Sequence, residues 1–397
     1  MNNNIYQESL ALHYKYKGKL ETKSIVPINN AHDLSLLYTP GVAEPCRVIA
    51  KDKSKSFELT MRGRTIAIIS DGSAVLGLGN IGPEAAMPVM EGKALLLKEF
   101  AGVDSVPLVI NTQDPQEIIK FVKQVAPSFA GINLEDICAP NAFIVEDALQ
   151  GIGIPVFHDD QHGTAIVVTA ALINAAKVVD KPFSSLKVVL VGAGAAGLAI
   201  SRMLLGLECS AKGCNLINDT QSVGDLIIVD SKGIISKSRK DLNIYKQVIS
   251  HVSNKNNLDG GLKEAIKGAD VVIGVSREGL ITQDMVRSMA KDAIVFSMAN
   301  PEPEILPDLA KEAGARVVAT GRSDYQNQIN NVLAFPAIFK AVIDGRLTSI
   351  TSDMKIIAAK AIAELVPNPT EDRIVPEPFF PDLAKKVSEK IINSLNI

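Results

Sequence analysis

Residues 187–200 read KVVLVGAGAAGLAI. The run Val188 to Val191 has the length and β-branched character of a buried strand, and Gly192, Gly194 and Gly197 follow it directly in the spacing GxGxxG. A small apolar run from Leu198 then continues as a helix. In that setting Gly192 permits a tight turn, Gly194 lets the backbone approach a pyrophosphate, and Gly197 lets helix and strand pack closely. With Ala195 and Ala196 the turn opens a helix N-terminus, whose amides and dipole favour phosphate. A dinucleotide site is predicted, in preference to a structural glycine turn.

Downstream, LIIVD (226–230), DVVIGV (270–275), AIVFSM (293–298) and RVVAT (316–320) are further strand-like runs with helical spacers, which makes an open doubly wound sheet. Asp230 ends the second strand, where an acidic side chain accepts hydrogen bonds from the adenosine ribose and repels a 2′-phosphate. That favours NAD. The long separation from the glycine turn and the adjacent Ser231-Lys232 keep NADP open as the alternative. The polar segment Lys212 to Gly224 reads as a surface loop.

Upstream, TIAIIS (65–70), LVIN (108–111) and residues 129–134 read as strands. Between them lie helices from Pro83 to about Phe100 and from Asp114, an N-cap followed by proline and a glutamate at N3, to Val125. Such short crossovers imply a parallel sheet. Another helix is predicted over Thr164 to Val178. The expected fold is α/β with two domains: residues 1–160 form an N-terminal catalytic and metal domain with parallel strands, and residues 161–397 a Rossmann-type dinucleotide-binding domain. The last helices, about 352–365 and 381–394, are joined by the proline-rich Val366 to Pro381 and are expected to pack back on one domain or bridge both.

The chain has 397 residues, 47% of them hydrophobic and 21% charged, so two cores are affordable and disorder is excluded. A net charge of -3 gives no reason to expect nucleic acid or a membrane surface as partner. No apolar run of signal-peptide or membrane-spanning length is present, which predicts a cytoplasmic protein. The four cysteines, Cys46, Cys138, Cys209 and Cys214, match neither a disulfide framework nor a zinc ribbon and are expected to be reduced.

Two acidic doublets close predicted strands ahead of the glycine turn: Glu135-Asp136 in GINLEDI and Asp159-Asp160 in VFHDDQHGTA. Alone, each fits a solvated loop or a helix start as well as a ligand set. Together, at strand ends of an open parallel sheet, they suit a hard divalent ion, Mg2+ or Mn2+. His158 and His162 flank the second doublet, but without a cysteine ligand or an HExxH pattern zinc is disfavoured. Lys93 falls on a mostly apolar helix, either as a partly desolvated base whose pKa is lowered near a cation or as a snorkelling surface lysine. Tyr38, before Pro40-Gly41, either presents its hydroxyl to a cleft or is a plain packing tyrosine.

The segments SLLYTPGVAEPC, ISDGSAVLGLGNIGPEAAMPVMEGKALLLKEFAGVD, GINLEDICAPNAF, FHDDQHGTAIVV, VLVGAGAAGLAI, FSMANPEPEI and GRSDYQNQINNVLAFPAIFKA, in this order from residue 35 to about 341, closely resemble malic enzymes of the short prokaryotic type. The resemblance implies NAD(P)-dependent, metal-dependent oxidation of (S)-malate with decarboxylation to pyruvate and CO2 by a homodimer or larger homo-oligomer. It implies Tyr38 as general acid, Lys93 as general base with Asp159 beside it, and Glu135, Asp136 and Asp160 as metal ligands. Asn300 in the SMANP turn and the pair Asn330-Asn331 would contact malate and the nicotinamide end. A malolactic enzyme, which releases lactate, is the nearest alternative. Larger relatives carry an arginine before the LGLG turn that binds a malate carboxylate; here that position is Ala74. Regulation by acyl-CoA through a C-terminal acyltransferase-like domain is not expected.

Overall fold

The computed structural model describes residues 3–210, 213–217 and 220–395. Two parallel sheets organise it. The first contains β1 (Thr65–Ser70), β2 (Asp104–Val109), β3 (Gly131–Leu134) and β4 (Val156–His158) in the order β2-β1-β3-β4. Both faces of β1 are covered. Ile66 and Ile68 join one apolar cluster, and Ala67 and Ile69 a second one with Ile118 and Val122, which explains its unbroken apolar run. β2 begins at Asp104 and not at Leu108, so it includes Pro107. As the edge strand it can lose an amide donor on its open side, which is why proline does not break it.

The chain then forms β5 (Lys187–Val191), a hairpin of β6 (Leu207–Ser210) and β7 (Gly213–Leu216), β8 (Asp225–Asp230), a two-residue β9 (Gly233–Ile234), β10 (Val271–Gly274), β11 (Ile294–Ser297) and β12 (Val317–Thr320). The second sheet has the order β12-β11-β10-β5-β8-β9, all parallel except β9, which turns back on β8. The order reverses between β5 and β10, and that switch point opens the crevice in which an open α/β sheet binds its ligand.

The helix Asp159–Val178 holds the two sheets together. It starts at the end of β4, five residues before the predicted Thr164, because Asp159 and Asp160 occupy its first turn where acids suit the dipole. Its buried face includes Ile166 and Val168, in one continuous core with Ile66 of β1 and Val188 of β5. Asn174 in its body donates to the carbonyls of Ala363 and Ile374, both at 2.9 Å, and so ties down the C-terminal segment. The helices Phe335–Gly345 and Leu383–Ser394 pack on Pro83–Ala101 beside the first sheet.

Two expectations are corrected. The start of the expected loop 212–224 is strand β7, with Lys212, Asn218 and Asp219 outside the described residues. Cys209 and Cys214 are not reduced thiols: the hairpin places them directly opposite each other, with Cα atoms 4.0 Å apart, and they form a disulfide. Cys46 and Cys138 remain free.

Before β1 the helices Asn3–Tyr16, Ala31–Leu37 and Ala43–Lys51 cover little of the rest of the chain. Tyr6, Leu10, Tyr14, Ile25, Leu36 and Tyr38 are all exposed. No helix among the described residues is long and apolar enough to cross a membrane.

Candidate active site

The parallel order β1-β3-β4 brings three strand ends side by side. β3 delivers Glu135 and Asp136, and β4 delivers Asp159 and Asp160. Glu135, Asp136 and Asp160 each offer a carboxylate oxygen within 4.8 Å of the other two. Asp136 adopts the left-handed backbone conformation (φ 54°), and its amide donates to Asp160 Oδ2 at 2.7 Å. Asn133, two residues earlier and therefore on the same side of the strand, orients Glu135 through Nδ2 to Oε2 at 2.8 Å.

Lys93 reaches this cluster from the helix Pro83–Ala101. That helix buries Ala86, Met90, Lys93, Ala94 and Leu97, a three-and-four spacing in which one position of the apolar stripe is a cation. The Lys93 ammonium contacts Asp159 Oδ2, lies 2.9 Å from Glu135 Oε1 and stands 4.5 Å over the ring of Phe335. Asn331 Nδ2 donates to the same Asp159 oxygen at 2.6 Å. Of the asparagine pair, therefore, Asn331 faces the cluster, whereas Asn330 uses its side-chain oxygen to cap the Val332 amide at 3.0 Å.

Burial, with the charge of Asp160 beside it, pushes the Glu135 carboxyl up to about 7; burial likewise pushes Asp159 up to about 7, although Lys93 opposes both shifts. Burial also opposes the Lys93 ammonium, but Asp159, Glu135 and Asp160 outweigh it and raise its pKa above the ordinary lysine range, which corrects the lowered value expected from the sequence. Four carboxylates thus confront one ammonium in a buried setting, and Asp159 Oδ1 has no protein hydrogen-bond partner. A donor set of hard oxygens with excess negative charge fits Mg2+ or Mn2+. The set is all oxygen, no cysteine joins it and His162 is committed to Glu146 (Nε2 to Oε1, 2.8 Å), which disfavours zinc.

This electrostatic imbalance sets a pH dependence. Carboxyls raised from their ordinary values of 4.5 and 3.8 to about 7 bind more protons folded than unfolded, so their stabilising contribution is complete at low pH and is lost as pH rises towards 7. The melting temperature of chelator-treated protein should therefore fall from about pH 5 to about pH 8, and Mn2+ should restore more stability at the upper end. A flat profile with equal metal stabilisation at both pH values would contradict this account.

The glycine turn borders a crevice of its own. Gly192 has φ +116°, and a Cβ there would meet Val275 O at 2.6 Å; a Cβ on Gly197 would meet Gly192 O at 2.0 Å. Gly194 faces open space at the start of the helix Ala195–Leu204. A cavity of about 360 Å³ is lined by Gly192, Gly194, Asp230 and Lys246 and by Ala139 and Pro140, which closely follow the Glu135-Asp136 doublet in sequence. Asn300 closely follows the end of β11 and is joined to Pro301 by a cis peptide bond. It meets the turn Leu76–Leu78 so closely that a Cβ on Gly77 would be 2.3 Å from Asn300 O. Gly77→Val should hold the two halves apart and lower kcat/KM on the order of 10²-fold without loss of folding, measured by steady-state kinetics and thermal melting. Unchanged kinetics would mean that this contact does not position the site.

Sequence models for the malic enzyme N-terminal domain and the malic enzyme NAD binding domain match residues 17–150 and 161–395. The chain belongs to the malic enzyme family. Among its relatives, a bifunctional malic/malolactic enzyme of Bacillus subtilis is 52% identical, over 97% of this chain and 92% of its own length. An NAD-dependent malic enzyme of Geobacillus stearothermophilus is 50% identical, over 95% and 76%. The crystal structure of an NAD-dependent malic enzyme from Thermotoga maritima superposes with a TM-score of 0.91 at 44% identity, covering 97% of this chain and 98% of that one. Relatives named for NADP also match.

Within this malic enzyme fold, Lys93, Glu135, Asp136, Asp159, Asp160 and Asn331 come together. Tyr38 does not join them: it caps the helix Ala31–Leu37 with its side chain 66% exposed. Ala74, where larger relatives have arginine, contributes only its amide, which donates to Asp136 O at 2.9 Å. Sequence reasoning missed Asn133 and Phe335. Asn133 was detectable from its two-residue offset to Glu135, whereas nothing local connects Phe335 to Lys93.

Proposed function

We propose that this chain catalyses the oxidative decarboxylation of (S)-malate to pyruvate and CO2 in the cytoplasm, using NAD and Mg2+ or Mn2+. The observation that carries this reading is the Lys93 ammonium, held between Asp159 and Glu135 beside a three-carboxylate cradle in a chain that also holds the glycine-turn crevice. The residue roles and a domain division near residue 160 are part of the same proposal.

The divalent ion, held by Glu135, Asp136 and Asp160, supplies Lewis acidity towards the malate oxygens, and the nicotinamide supplies the hydride acceptor. The carboxylates around Lys93 hold it as an ammonium; with a divalent ion offsetting their charge it would lose that proton, and as the free amine it takes the proton of the C2 hydroxyl as hydride leaves that carbon. Glu135 and Asp159, the latter oriented by Asn331, hold its Nζ in place, and Phe335 excludes water from one side. Asn300 and Asn331 orient the substrate. After CO2 departs, the Tyr38 hydroxyl returns a proton to the methylene carbon, which gives pyruvate.

Because Tyr38 is exposed within an apolar N-terminal surface, we assign it to the site of a second copy of this chain in a homodimer. The test of the reaction is an assay with malate and Mn2+, run separately with NAD and NADP and with pyruvate and lactate both quantified. Free reduced cofactor and pyruvate in equal amounts support it. Lactate without free reduced cofactor would establish the malolactic alternative, the second activity in the name of the Bacillus subtilis relative.

A further inference from the structure

The end of β8 carries more than the acidic residue that a Rossmann-type sheet needs for a ribose. Asp230 Oδ1 accepts from the Lys232 amide at 2.9 Å and from Arg239 Nη1 at 2.7 Å. Its Oδ2 accepts from Lys246 Nζ at 2.7 Å and Arg239 Nη2 at 3.3 Å. A carboxylate has about four lone-pair sites, and all are engaged. Asp230 therefore has no acceptor site left for a ribose diol, although it and Lys246 line the same cavity as Gly192 and Gly194.

The arrangement is that of an anion in a binding site. A guanidinium fork, an ammonium and a backbone amide converge on one buried carboxylate, the donor set that recognises a phosphate monoester. Asp241 secures the cradle from behind: it takes Arg239 Nε at 2.9 Å and Nη2 at 2.8 Å, and its Oδ2 also lies 2.9 Å from Lys232 Nζ. Three cations (Lys232, Arg239, Lys246) thus share two carboxylates (Asp230, Asp241). Removing Asp230 takes the cluster from +1 to +2, enough to match a phosphate of about −2.

We propose that Asp230 selects NAD by occupancy: its carboxylate fills a cradle of Arg239, Lys246 and the Lys232 amide that would otherwise receive the 2′-phosphate of NADP. This rests on the reading that the adenosine ribose lies at the end of β8. Selection then comes from a filled anion site and like-charge repulsion, not from hydrogen bonds to the diol. The relatives named for NAD and for NADP are compatible with one fold that differs at such a cradle.

Calorimetric binding of 5′-AMP and of 2′,5′-ADP to the full-length protein tests the proposal without turnover. In Asp230→Ser, 2′,5′-ADP should bind on the order of 10²-fold tighter than in wild type while 5′-AMP changes little, and adding Lys246→Gln should remove most of that gain. Inorganic phosphate should raise the melting temperature of Asp230→Ser and not of wild type. If Asp230→Ser does not fold, Asp230→Ala, which also vacates the cradle, carries the same comparison. Weaker 5′-AMP binding with no gain for 2′,5′-ADP would overturn selection by occupancy and leave the ribose placement standing. No change with either nucleotide would overturn the placement itself.

Discussion

Mixing equal amounts of Tyr38→Phe and Lys93→Ala proteins, each inactive by itself, is expected to restore about a quarter of wild-type activity. In a two-fold dimer whose Tyr38 serves the partner's site, a mixed dimer places both substitutions in one site and leaves the other intact. Random reassortment makes about half of the dimers mixed, each with one working site of two. If Tyr38 served its own chain, every site would lack one of the two groups and mixing would restore nothing. The structure motivates the first case. Lys93 is buried against Asp159 and Glu135, whereas Tyr38 is exposed on a helix that buries no residue of its own. Tyr6, Leu10, Tyr14, Ile25 and Leu36 of the same N-terminal segment are likewise exposed apolar side chains, a concentration that suits an interface between copies. No recovery of activity, once exchange of subunits had been verified by mass, would refute the shared site.

The strand ends explain how much of this could be read from sequence. GxGxxG after a β-branched run needs no tertiary information, because a strand, a tight turn and a helix start are all local. β5 and the helix Ala195–Leu204 accordingly fall where they were expected. The doublets at 135–136 and 159–160 could be recognised as carboxylates at strand ends, but their convergence depends on β3 and β4 being neighbours, a pairing that no local pattern encodes. Which asparagine of the pair faces the cluster was likewise undetermined in the sequence: a short helical turn aims Asn331 at Asp159 and uses Asn330 as a cap. The hairpin of β6 and β7 was misread because GCNL, with glycine and asparagine among polar neighbours, has a loop composition. Only its cross-strand partner makes it a strand and brings Cys209 against Cys214. Asp230 was read correctly as the acid at the end of the second strand, but Arg239 and Lys246, which saturate it, come from later segments without a motif.

Asp136→Asn should abolish both halves of the reaction, and it is a cleaner substitution than alanine. Asp136 has a left-handed backbone (φ 54°), which asparagine adopts more readily than alanine, and the hydrogen bond that its backbone N–H donates to Asp160 needs no side chain. The variant should therefore fold while losing one of the three charges proposed to hold the ion. If one divalent ion serves both hydride loss from C2 and departure of CO2, removing a ligand costs several kcal/mol in each step, a drop on the order of 10³-fold in malate oxidation and also in decarboxylation of added oxaloacetate. Lys93→Ala separates the two, because oxaloacetate has no C2 hydroxyl proton to remove; its decarboxylation should survive far better than malate oxidation. Stability offers an independent check. With one fewer buried negative charge, chelator-treated Asp136→Asn should melt no lower than chelator-treated wild type near neutral pH and should gain less from Mn2+. Normal oxaloacetate decarboxylation by Asp136→Asn, together with undiminished stabilisation by Mn2+, would show that Glu135, Asp136 and Asp160 do not form the catalytic cation site.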